Sequence, residues 1–178
     1  MRIRTLLVIP MMAAALHAAT YSTLSASLKQ LLPAGQKAFK TKFVATDAQA
    51  KALNAFGDGD FLGGDEFDVY YTKDAQGKVS GTAIQLVEMQ PKWKSSHTWV
   101  IGIGSDGKLT GVSIIELTDK YTFPLAQPVF LKQFPGKPAA QIGLGKGMDA
   151  VAGASESSAL LAASIKRAAY IASQAKLP

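Results

Sequence analysis

The residues best suited to chemistry stand together near the C-terminus, in the run Asp149-Ala150-Val151-Ala152-Gly153-Ala154-Ser155-Glu156-Ser157-Ser158. Small residues form a turn here, and hydroxyls stand where an apolar periodicity begins. Leu161, Ile165, Ala168 and Ala172 recur at helical spacing, with Lys166, Arg167, Tyr170 and Gln174 assigned to the other side. The first N–H groups of a helix have no partner within it, and the aligned peptide dipoles place partial positive charge there. A phosphate fits such an end. Gly153 and Ala154 leave room for a bulky group, while Ser155, Ser157 and Ser158 supply donors. A serine ahead of an apolar run is also the ordinary N-cap of a surface helix, so the residue types alone leave both readings open.

Other candidate chemistries are weaker. The chain has no cysteine, which excludes disulfides, thiolate metal sites, iron-sulfur clusters and thioether-linked haem. Beyond the N-terminal segment there is one histidine, His97, beside a strand, where it reads as structural; hydrolytic triads and histidine-rich metal sites are correspondingly disfavoured. Residues 57–66 are dense in Asp and Gly but lack the ligand order of a calcium loop and read as a flexible acidic connection, so no metal site is predicted. Gly143, Gly145 and Gly147 alternate without making a dinucleotide fingerprint. Two aromatic stretches remain. In Pro91-Lys92-Trp93-Lys94-Ser95-Ser96-His97, two cations flank a tryptophan, which suits either a strand connection with snorkelling lysines or a docking and cofactor-edge loop. Tyr121-Thr122-Phe123 lies in an irregular segment that caps a core or walls a ligand.

The elements that must position these residues follow from pattern. At 178 residues and 48% hydrophobic, the chain is sized for one domain with a real core. Arg2 and Arg4, the apolar run Leu6 to Leu16 and the small residues Ala18 and Ala19 have the order of a secretory signal peptide over residues 1–19, which predicts export. The formal charge is +6, or +4 once Arg2 and Arg4 are removed; in an exported protein this suits an acidic partner or an anionic membrane surface rather than nucleic acid. Tyr21 to Leu32 is predicted helical, Phe39 to Val44 a short strand, and Thr46-Asp47-Ala48-Gln49 a capping box opening a helix that runs to Phe56. Two hairpins follow: Phe67 to Lys73 with Lys78 to Gln90, and Thr98 to Gly104 with Lys108 to Leu117. A short helix is predicted from Gln127 to Phe134, ended by Pro135-Gly136. The fold class is therefore α+β: one domain with an antiparallel sheet of hairpins packed by helices, closed by the C-terminal amphipathic helix.

The motif Asp149 to Ser155, preceded by strand-turn-strand units ending in Asp-Gly-Lys-Leu-Thr-Gly-Val, resembles the FMN-binding domain found in the G subunit of Rnf complexes and the C subunit of sodium-translocating NADH:quinone reductase. The likeness covers residues of about 67–170 within a domain of 20–178. It implies FMN esterified through its phosphate to Ser155 by an exported flavin transferase, with Gly153, Ala154, Glu156, Ser157 and Ser158 around the phosphate. Asp149 would be a recognition or turn residue. The implied role is that of an electron-transfer protein or subunit, periplasmic or peripheral on the outer face of the cytoplasmic membrane, working with a redox protein or membrane electron-transfer complex. Tyr121, Thr122, Phe123 or Trp93 would border the flavin ring, and Lys92 or Lys94 would favour its reduced anionic form. The sequence departs from the family where serine replaces the usual threonine acceptor and where Ala152 replaces Ser or Thr. A reading from a different class is an exported, non-redox binding module whose Ser155 turn holds a small anion or only caps the helix.

Overall fold

A computed structural model describes residues 18–57, 64–90 and 94–178. Its centre is a six-stranded antiparallel sheet made of β1 (Ala19–Thr20), β2 (Ala38–Val44), β3 (Glu66–Lys73), β4 (Val79–Gln90), β5 (Ser95–Gly104) and β6 (Leu109–Leu117), in the spatial order β1-β6-β5-β4-β3-β2. From β2 to β6 each strand pairs with the next, a meander set by the two predicted hairpins. Asp74 accepts from the N–H groups of Gln76 and Lys78, and Asp106 accepts from that of Lys108, so both turns are closed by the aspartates that signal them in the sequence. The predicted signal segment lies outside the described residues, apart from Ala18 and Ala19; the latter pairs with Leu117.

Helices cover both faces. On one lies α1 (Leu24–Leu31), capped by the Thr23 hydroxyl and stopped before Pro33; its cluster joins Leu31 and Leu32 to Tyr70, Ala83 and Val100. On the other lie α2 (Asp47–Asn54), α3 (Pro128–Leu131) and the twenty-residue α4 (Ser155–Gln174), packed over Phe67, Ile84, Leu86, Trp99 and Ile101. Thr46 and Gln49 make the predicted capping box of α2. The predicted helix over residues 127–134 is shorter, since only 128–131 hold α geometry, with Gln127 as its N-cap. A 3-10 segment, Lys120–Ala126, leads into it from β6.

Simple alternation does not account for the inner face of β6. Leu109 and Val112 are both buried in the α4-side core, as are Ile114 and Leu117, although each pair is an odd number of residues apart. Two register shifts against β5, at Gly102/Ile103 and Thr98/Trp99, restore the parity by letting one extra residue pass each time. Thr110, released at the first, donates to the Leu31 carbonyl at 2.7 Å and ties α1 to the sheet. Gly102 permits that approach: a Cβ there would meet Thr110 Oγ1 at 2.2 Å and Leu31 Cβ at 2.8 Å.

Arg167 corrects the sequence expectation for α4. It is buried, not on the solvent side. Its Nη1 meets Glu88 Oε1 of β4 at 3.0 Å, and its Nε donates to the Leu53 carbonyl at the end of α2 at 3.0 Å. Ser164 Oγ donates to the same Glu88 oxygen at 2.6 Å. Burial raises the Glu88 carboxyl above its ordinary range, and Arg167 and Ser164 pull it back. Removing one member strands the other charge out of water. Arg167→Leu should therefore cost about 3–5 kcal/mol in urea unfolding, whereas Arg167→Leu combined with Glu88→Met should lose much less. Equal losses in the single and double variants would show that packing, not charge, dominates there.

Candidate functional site

The turn into α4 is built differently from a serine-capped helix. Gly153 has φ +80, and nothing lies within 4 Å of where its Cβ would be, so glycine is needed there for the left-handed backbone rather than for space. Ala154 is the N-cap, buried and without a side-chain cap bond. The N-cap reading of the serines is thus replaced by an internal one: Ser158, fully buried in the first turns, accepts from the Val151 N–H at 3.2 Å and donates to the Ala154 carbonyl at 2.9 Å. Ala154 N–H closes the turn onto the Val151 carbonyl at 3.0 Å. Ser155, the first helical residue, is exposed, and its hydroxyl has no hydrogen bond among the described residues. The exposed Asp149 donates its N–H to Gln133 Oε1 at 2.9 Å, which pins the turn to the segment after α3.

Beneath this helix end lies a polar box that sequence reasoning did not assemble. Gln90, at the end of β4, donates through Nε2 to Glu156 Oε2 at 3.2 Å and accepts at Oε1 from Ser157 Oγ at 3.0 Å and Ser95 Oγ at 3.5 Å. His97 Nε2 is 3.4 Å from the Ser157 hydroxyl. Because that hydroxyl gives its only proton to Gln90, it takes one from His97; this assigns the Nε2–H tautomer and leaves Nδ1 a bare lone pair. Neither His97 Nδ1 nor the buried Trp99 Nε1 has a hydrogen-bond partner among the described residues. The two rings stack at 5.4 Å and 15°. Burial lowers the His97 pKa to about 4, opposed by the negative charge of Asp119, so the ring is neutral near pH 7.

His97 and Ser95 lie within β5, opposite Glu88 and Gln90, not in the predicted connection. The signal for them was the alternation Ser95, His97, Trp99, Ile101, which places these four on one face of a strand. Of the other candidates, Ser157 and Ser158 spend their hydroxyls inside the protein. Thr122 is buried and donates to the Asp119 carbonyl at 2.6 Å. Tyr121 and Phe123 are 65% and 53% exposed on the 3-10 segment that begins after Asp119. Lys94 is exposed with φ +49, while Lys92 and Trp93 lie outside the described residues. Among the described residues no group of three or more His, Cys, Asp or Glu could hold a metal ion, and no helix is long and apolar enough to cross a membrane.

Two measurements check this geometry. Ser158→Ala should lose about 1–2 kcal/mol in denaturant unfolding by orphaning the Val151 N–H, while Ser155→Ala should change stability by less than about 0.5 kcal/mol; the reverse order would reinstate Ser155 as the cap. The depressed His97 pKa means that the unfolded chain binds the extra proton first, so stability is retained above pH 6.5 and lost as pH falls toward 4. Subtracting the pH–stability curve of His97→Gln from that of the unsubstituted chain should isolate a loss approaching about 3 kcal/mol across that window; a flat difference would place His97 in contact with water. Set against protein-family models, curated proteins and solved structures, the chain has no match in any of the three, so its function has to be argued from this site.

Proposed function

We propose that the chain is an exported flavoprotein electron carrier that holds FMN through a phosphoester on Ser155. The observation that carries this reading is the Ser155 hydroxyl: it opens a twenty-residue helix, stands in solvent and is left unused by capping. A hydroxyl in that position is open to a transferase, and the helix end stabilises the phosphate placed there. Attachment needs an activated flavin nucleotide: the Oγ–phosphorus bond forms, the bond to the leaving group breaks, and the hydroxyl proton passes to a base of the flavin transferase. Asp149, exposed beside the turn, is suited to recognition by that enzyme. The resemblance to FMN-binding domains points the same way.

The protein's own part is tethering, orientation and electrostatics, while FMN supplies one- and two-electron transfer. Gln90 draws the Glu156 carboxylate toward β4, which limits its repulsion of a phosphate on the neighbouring residue. Phe123 and Tyr121 are exposed aromatics of the kind that border a flavin ring, whereas the Thr122 hydroxyl serves the backbone. His97 is neutral and adds no charge to the site. The partners are a redox protein or membrane electron-transfer complex outside the cytoplasm.

Coexpression with an exported flavin transferase tests the reading. Intact mass should rise by one FMN less water, Ser155→Ala should abolish the rise, and Ser155→Thr should keep it. A wild-type chain that stays at its unmodified mass and takes up no added FMN is instead the non-redox module whose turn holds a small anion or only starts a helix.

A further inference from the structure

The polar box beneath α4 reaches the surface at one point. Gln90, Ser95, His97 and Ser157 are buried, and Gln90 ties them to the exposed Glu156. A carboxylate only accepts, so Gln90 turns its amide nitrogen to Glu156 and its oxygen inward. That oxygen takes the Ser157 proton at 3.0 Å, with Ser95 at 3.5 Å, and the Ser157 oxygen faces the His97 Nε2–H at 3.4 Å. Every bond in the row from His97 through Ser157 and Gln90 to Glu156 therefore donates in the same outward direction. Reversing the amide would set its oxygen against the carboxylate and its nitrogen against hydroxyls that are giving protons, so its neighbours hold it in one orientation.

Glu156 has a second place to go. It is the second residue of α4, and the N–H groups of Ser155 and Ser157 have no acceptor among the described residues. A carboxylate in a first turn is drawn to such groups and to the positive end of the helix dipole. An anion on Ser155 competes for the same place and is repelled by a carboxylate already there. We infer that Gln90 is the positioning residue of the Ser155 turn: locked by Ser157 and His97, it holds the Glu156 carboxylate over the end of β4 and keeps the first N–H groups of α4 open to an anion on Ser155. Ser157 then serves the turn from beneath, through Gln90, and not as a donor to the anion. That the anion is a flavin phosphate rests on the function proposed above; the positioning does not.

Because the chain has no cysteine, Ser155→Cys places a single thiol where the anion would stand. A thiolate is favoured by a helix N-terminus and disfavoured by a nearby carboxylate, so its rate of alkylation by neutral iodoacetamide reads the charge at that position. Adding Gln90→Leu should slow the reaction at pH 7 by about 3- to 10-fold, and adding Glu156→Gln to both should bring the rate back to within about 2-fold. A role in packing alone is not repaired by a change at an exposed glutamate. An unchanged rate with Gln90→Leu, or a loss that Glu156→Gln does not restore, overturns the positioning. Should Gln90→Leu fail to fold, Ser157→Ala, which only releases the amide, takes its place in the same comparison. With Ser155 intact, the same substitutions should slow and restore FMN addition by the flavin transferase. The expected thiol rates together with no FMN addition to the unsubstituted chain would uphold the positioning and remove the flavin.

Discussion

The structure turns on taking Glu88 and Arg167 out of water together. Each ion alone would cost several kcal/mol to bury, and attraction offsets this only where geometry and further hydrogen bonds are good. Here Ser164 and the Leu53 carbonyl complete the pair, so one contact joins β4, the end of α2 and the middle of α4. That contact sets the rotation of α4 about its axis. With Arg167 and Ser164 turned to the sheet, Ser157 also faces it, over Gln90 and His97, and Ser155, two residues earlier, is directed to solvent. The same rotation that makes the helix stable leaves that hydroxyl available.

Much of the framework was legible in the chain. The aspartates at 74 and 106 mark their turns, Thr46 and Gln49 mark a helix start, and the apolar periodicity after Ser155 marks α4. Residues whose placement depends on a distant partner were not. Arg167 reads as a surface residue because an arginine on a helix usually is one; only Glu88, 79 positions away, explains its burial. The parity of β6 escapes alternation because bulges follow from pairing with β5, not from local composition. At the candidate site the turn and Ser155 were visible, but the cap was not: nothing local distinguishes Ser158, which closes the turn, from Ser155, which does not. Likewise His97 is seen to be neutral and buried only once Trp99, Gln90 and Ser157 surround it.

The two faces of the sheet are built differently. The α4 face joins a large apolar core to an internal polar seam, and it ends in the turn that exposes Ser155. The α1 face has a smaller core, an edge strand rich in lysine and an open groove. Lysines along β2 also keep that free edge from pairing with another sheet. The meander with its helices forms a continuous frame from one face to the other.

The sequential order of the strands also orders folding. Neighbouring strands from β3 to β6 close over short connections, whereas α4 finds Gln90, Glu88 and Leu53 across 66, 79 and 114 positions of chain. Such distant closures cost more loop entropy than the local strand pairings and are expected to follow them. Until α4 settles, residues 149–155 have no helix end behind them and no pinned backbone. The Ser155 turn therefore exists only in a finished molecule, and any enzyme that reads its shape inspects the fold before it acts.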